Sequence, residues 1–223
     1  MKSLVTCHPS LAPYIILLLL SSFLQSPTPT KIPLHKIDLA TTLLASHTIP
    51  TQTFSQDWYG NLPKHKATFK IAYNAEFLLF HFKAFKKPTY DPTKQLGEFH
   101  KGLWEQDIAE IFLKSPDSPT YQEFNFSPTG AYWSALFTDY RQLAKEIPVH
   151  PESICSTIED NAWAIEFKIP LKHCLLQNLE DTEVQLNVCS ILYDDYTTFL
   201  SYVGGEGSPD FHGVGLYGIG EKR

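Results

Sequence analysis

Between Leu103 and Arg141, acidic and amide side chains stand inside an aromatic, apolar pattern. The run Leu103-Trp104-Glu105-Gln106-Asp107-Ile108-Ala109-Glu110-Ile111-Phe112-Leu113 comes first. A Ser/Pro/Asp loop follows, then Tyr121-Gln122-Glu123-Phe124-Asn125-Phe126, and Tyr140-Arg141 closes the stretch. Strand alternation puts Tyr121, Glu123 and Asn125 on one face and Phe124 and Phe126 on the other. Glu110 shares a face with Ile108 and Phe112. Glu and Asn in strands are costly unless they are paired or needed. If these faces meet in a cleft, Glu110, Glu123, Asn125 and Arg141 form a charged, hydrogen-bonding floor. The competing reading is a buried network of Glu110, Glu123 and Arg141 that fixes strand register.

Other chemistries have weaker support. Glycoside hydrolysis needs two carboxylates at a set separation, which sequence spacing does not establish. The chain has no G-x-S-x-G, P-loop or Cys-His signature, so an enzyme is not expected. Asp91, Glu98, Asp107, Asp194, Asp195, Glu206 and Asp210 place hard oxygen donors around loops. They are compatible with a structural calcium but lack EF-hand spacing. His100, His150, His173 and His212 are scattered without zinc-site spacing. No cofactor is expected beyond that calcium.

The elements that would position these residues read as strands. Ala67–Tyr73 alternates cleanly, Asn74-Ala75-Glu76 is a turn, and Phe77–Phe85 completes a hairpin. Residues 86–102 form a long loop. Strands follow at Asp107–Leu113, Tyr121–Phe126 and Ala131–Thr138. Ser127-Pro128-Thr129-Gly130 suits a tight turn. Further strands fall at Trp163–Ile169, Val184–Tyr193, Phe199–Val203 and Leu216–Ile219. Pro170–Leu179 reads as one helix, with Leu171, Cys174, Leu175 and Leu179 on one side. Many short strands at regular spacing indicate an all-β antiparallel sandwich, immunoglobulin-like or jelly-roll-like, with one short helix.

The chain has 223 residues, 43% of them hydrophobic and 13% aromatic, which suits one domain with a substantial core. Its net charge is -6, without a basic stripe, so nucleic acid is not an expected partner. Residues 1–26 carry Lys2 and the apolar run Tyr14–Leu20 before Pro27, and they fit a signal peptide. The expected localisation is secreted, periplasmic or cell-surface. Membrane contact would come only through this segment if it stays uncleaved. Residues 27–37 read as a linker and 38–223 as the domain. The cysteines Cys7, Cys155, Cys174 and Cys189 form no C-x-x-C pair, and buried small hydrophobes are their simplest reading.

On these residues the chain resembles the family-nine carbohydrate-binding modules and their relatives in the DOMON-like superfamily. The resemblance begins with Trp58 and the hairpin Phe69–Asn74 and Phe77–Phe80. It continues through Trp104-Glu105-Gln106-Asp107, Glu110–Leu113, Tyr121 and Glu123–Gly130. It ends with Trp163, Glu166, Ile169-Pro170, Pro209-Asp210-Phe211-His212 and Tyr217-Gly218. It spans roughly residues 38–219. It implies a β-sandwich that binds sugars, often at polysaccharide chain ends and often attached to secreted glycoside hydrolases. Here a hydrolase would be a separate partner. Some DOMON relatives bind heme; Met1 is the only methionine, and no bis-His motif is present.

Sugar recognition needs flat aromatic faces against ring C–H groups, with carboxylates and amides for hydroxyls. The ligand-binding candidates are Trp58, Trp104, Glu110, Tyr121, Glu123, Asn125 and Arg141, with Glu105 and Asp107 beside them. Trp58 and Trp104 lie in or beside loops, where binding aromatics sit. Trp133 shares its face with Ala135 and Phe137 and reads as core, as does Trp163. The alternative is an interaction protein that keeps the fold without a sugar site.

Overall fold

A computed structural model describes residues 28–37, 49–213 and 215–223. Its strands are β1 (Lys31–Lys36), β2 (Gln52–Thr53), β3 (Ala67–Tyr73), β4 (Phe77–Ala84), β5 (Ile108–Lys114), β6 (Tyr121–Phe126), β7 (Tyr132–Asp139), β8 (Gln142–Glu146), β9 (Ser153–Glu159), β10 (Ala162–Pro170), β11 (Gln185–Leu192), β12 (Thr198–Ser201) and β13 (Gly218–Lys222). The segment read as a signal peptide, Cys7 and part of the expected domain start lie outside the described residues.

The strands form two layers. One runs β8-β7-β6-β5-β11-β13, with β12 also paired to β11. The other runs β1-β3-β4-β10-β9, with β2 paired to β3. β1 lies parallel to both β13 and β3 and joins the layers along one side. The facing sides interdigitate: Phe126 meets Phe167 at a ring separation of 4.3 Å and Phe80 at 5.5 Å. Ile111, Leu113, Phe124 and Val188 from one layer and Phe69, Ile71, Phe82, Trp163 and Ile165 from the other complete this core.

Local chemistry explains the turns. Asn74 Oδ1 accepts the Glu76 and Phe77 amides at 2.9 and 2.8 Å, closing the β3–β4 hairpin. Gly130 ends the β6–β7 turn at φ 82°, where its amide donates to Ser127 O at 2.9 Å. A Cβ there would stand 2.5 Å from the Leu96 side chain.

The structure departs from the sequence reading in four places. The expected linker contains β1, a strand whose Ile32 and Leu34 are fully buried. The expected helix over 170–179 is only a 3-10 turn at Leu171–His173. Its backbone groups are claimed elsewhere. Gln122 accepts the Leu175 amide at 2.6 Å and donates to His173 O at 3.3 Å, while the Leu171 amide donates to Glu76 O at 2.8 Å. The apolar spacing serves an irregular segment that closes one end of the core. β8 and β9 escaped the pattern because they are edge strands and mostly exposed, so neither face imposes alternation. Finally, Cys155 is exposed, whereas Cys174 and Cys189 are buried; all three are free thiols.

Candidate functional site

The functional candidates gather on the outer face of the β5–β6–β7 layer, the face turned away from the main core. Cross-strand register puts Cys189, Glu110, Asn125 and Trp133 in one row across β11, β5, β6 and β7. Glu123 lies in the adjacent row, opposite Phe112 and Ala135. Segments around 199–217 and 99–104 fold over this face and bury most of it. They leave a cavity of about 340 Å³. Glu110, Phe112, Glu123 and Trp133 form its floor. Trp104, Phe199 and Phe211 form its walls, and Lys101, Arg141 and Asp210 its rim.

The two indoles give the cavity its shape. Trp104 and Trp133 meet edge to face at 5.4 Å and 69°. Trp104 sits in a 3-10 turn, Leu103–Glu105, opened by Gly102 at φ 86°. Its carbonyl accepts the Tyr193 hydroxyl at 2.9 Å, which ties the turn to the end of β11. Trp133 is buried, yet its Nε1 donor has no partner among the described residues.

The acidic groups on the floor are held close to neutrality. Burial raises the Glu110 carboxyl well above its ordinary value, and Glu123 nearby raises it further. Burial also raises Glu123, against the opposing pull of the Asn125 amide and Arg141. Asn125 Nδ2 donates to Glu123 Oε1 at 2.9 Å, while Asn125 Oδ1 is buried without a partner. His212 lies over this pair, its Nε2 at 3.6 Å from Glu123 Oε2. Burial and Arg141 lower the His212 imidazole to about 4, so it is neutral near pH 7. The Tyr121 hydroxyl accepts the Arg141 backbone amide at 3.2 Å and lies 2.7 Å from His212 Nδ1. The network therefore assigns a hydroxyl proton donated to Nδ1 and a hydrogen on Nε2 facing Glu123.

The sequence candidates separate into three groups. Trp104, Glu110, Glu123 and Arg141 meet at the cavity. Tyr121 and Asn125 stand behind it as supports: Tyr121 stacks on Phe137 at 4.8 Å and Asn125 is fully buried. Trp58 is the correction. It is 2% exposed, donates to Gly207 O at 2.9 Å and packs on Phe211 at 5.5 Å, so its ring faces are covered. A loop position did not make it a surface residue, because the Gly205–Gly207 segment folds onto it. Asp107 is also structural. It is fully buried, pairs with Lys86 at 2.5 Å and accepts the Thr89 and Tyr193 amides at 3.0 and 2.6 Å. The register network expected of Arg141 is absent. Its side chain is 53% exposed and binds Asp210 at 2.7 Å, at the rim and not between the floor acids.

Trp133, read as core, reaches the cavity floor. The turn hid this: Gly130, at φ 82°, adds one residue, so Ser127 pairs with Ala131 and Trp133 comes opposite Asn125, where a plain four-residue turn would have set it opposite Phe124. Phe199 and Phe211 carried no local signal, since they arrive from a distant segment. Several of the acids considered for calcium are engaged elsewhere. Asp194 pairs with Lys64 and His65 at 2.7 and 2.9 Å, and Asp91 accepts its own Thr93. Among the described residues, no group of three His, Cys, Asp or Glu converges on a metal position.

No family model and no curated protein sequence matches this chain. Solved structures do. A candidate carbohydrate-binding protein from Bacteroides uniformis ATCC 8492 superposes with a TM-score of 0.68 at 16% identity, over 88% of this chain and 100% of that one. A family-nine carbohydrate-binding module from Caldicellulosiruptor kristjanssonii, in complex with glucose, gives 0.51 at 10% identity, over 87% and 96%. Its complex with cellotriose gives 0.53 at 10% identity, over 83% and 98%. The chain therefore has the fold of the family-nine carbohydrate-binding modules, as the sequence resemblance implied.

Proposed function

We propose that this protein binds carbohydrate in the cavity lined by Trp104 and Trp133, as a module without hydrolytic activity of its own. The observation that carries the reading is the meeting of two indoles over buried carboxyls in one open cavity. The indoles offer apolar surface for ring C–H groups, and Glu110 and Glu123 offer hydrogen-bonding groups for hydroxyls. Glu110 and Glu123 lie on adjacent strands of one sheet, not on opposite walls of a groove. Binding fits that placement better than hydrolysis. The sugar complexes of structures with this fold support the same reading. A single site of this kind binds weakly, because water competes for every hydroxyl. Export and service to a separate glycoside hydrolase belong to the proposal.

The test is tryptophan fluorescence with glucose, cellotriose and a wider sugar panel, with and without calcium. A saturable change that Trp104→Ala removes in a still-folded protein supports the reading. No response from the folded protein to any sugar sinks it and favours an interaction protein.

A further inference from the structure

Charge accounting around the cavity leaves two acids over. Lys101 at the rim is taken by Glu146 at 3.1 Å, and Arg141 by Asp210 at 2.7 Å. His212 is a neutral ring whose Nδ1 is occupied by Tyr121 and whose Nε2 faces Glu123 Oε2 at 3.6 Å, beyond hydrogen-bond length. Glu110 has no hydrogen-bond partner among the described residues, and Glu123 has only the neutral Asn125 amide on Oε1. Both acids are buried and both line the cavity, and among the described residues no Lys or Arg forms an ion pair with either, Arg141 acting on Glu123 only at longer range.

A second observation lies at the same place: the rings of Trp104 and Trp133, edge to face at 5.4 Å, line the cavity together with these acids. Aromatic faces beside carboxylates are a good environment for an ammonium group, because the ring quadrupole and the acids attract the same charge. Two neighbouring acids cannot both ionise in an apolar site at low cost, and a cation between them removes that restraint.

We propose that the cavity selects a sugar bearing a protonated amine, as in glucosamine and its β-linked oligomers, with the ammonium group placed between Glu110 and Glu123. The inference rests on the carbohydrate-binding reading above and names its substrate class. Ammonium binding ionises a carboxyl, so a proton leaves the site as the ligand enters.

The experiment is isothermal titration calorimetry of the full chain with glucosamine trimer, N-acetylglucosamine trimer and cellotriose. It is run near pH 6.5 in two buffers of different ionisation enthalpy. The amine trimer should bind at least ~10-fold more tightly than either neutral trimer and should release a proton. In Glu110→Gln and Glu123→Gln, each checked for folding by circular dichroism, that ratio should fall toward one and the proton release should disappear. Equal affinity for charged and neutral trimers, still sensitive to Trp104→Ala, overturns the amine preference and leaves carbohydrate binding standing. No binding of any trimer by the folded protein overturns both. Amine binding that both glutamine variants retain overturns the placement.

Discussion

Asn125 stands directly opposite Glu110 across β5 and β6, yet its amide donates along its own strand to Glu123, at 2.9 Å. One carboxyl on the cavity floor is thereby hydrogen-bonded, and its neighbour has no hydrogen-bond partner among the described residues. The pair is asymmetric before any ligand arrives. Glu123 is the positioned group, and Glu110 is the unpartnered one.

This asymmetry has a stability consequence. Burial raises both folded-state values above the ordinary carboxylate value. The unfolded chain therefore loses its protons first as pH rises, and ionisation favours unfolding. The contribution of the pair is fully favourable below the unfolded value and is lost as pH climbs through the raised ones. Urea denaturation at pH 5 and pH 8 should show Glu110→Gln stabilising the ligand-free protein at the higher pH and leaving it nearly unchanged at the lower. Equal effects at the two pH values would contradict the burial of this acid.

His212 acts on the acid side. Its folded value is about 4, against an ordinary value of 6.5. Between those limits the unfolded chain binds more protons, so stability falls as pH drops through that window, by roughly 3 kcal/mol in total. His212→Gln, which can still accept from Tyr121, should flatten this limb of the pH profile. An unchanged slope would mean that His212 is protonated in the native protein.

Lys86 and Asp107 form a buried ion pair at 2.5 Å that also anchors two backbone amides. Removing the cation alone leaves a buried acid without its main partner. Lys86→Met should cost about 3–5 kcal/mol in chemical denaturation. Lys86→Met with Asp107→Asn should recover part of that loss. A cost below 1 kcal/mol for the single variant would place the pair in contact with water.

The two loop tryptophans should behave oppositely. Trp58→Ala removes a buried indole and its bond to Gly207, and a loss of about 3–5 kcal/mol is expected. Trp104→Ala should cost far less stability and should abolish the sugar-dependent fluorescence change. Gly205→Ala should mimic the first variant, because its Cβ would stand 2.3 Å from the Trp58 ring. Thermal melts of the three variants, with sugar titrations of any that fold, decide the assignment.

Much of this arrangement was legible beforehand. Alternation put Glu123 beside Asn125 in Tyr121–Phe126 and Glu110 beside Phe112 in Ile108–Phe112, because a side-chain period of two fixes facing within a strand; that the two faces are one comes from the β5–β6 register. The turn at Ser127–Gly130 was equally local. What escaped depended on distant partners. Trp58 could not be separated from Trp104 by sequence, since its cover comes from residues around 205–211. The apolar spacing of 171–179 looked helical, but Gln122, from another strand, claims the amide that a helix would need. β1 looked like linker because its Pro33 and flanking prolines read as breakers. Yet as a strand it pairs in parallel on both sides.

That placement of β1 bears on how the protein is made. Among the described elements, the strand that leaves the ribosome first needs Gly218–Lys222, the strand that leaves last. Until those residues emerge, the two layers share no seam, and β11 and β1 present edges that other chains could pair with. Closure therefore waits for β13, and a chain cut before Gly218 should stay open and self-associate.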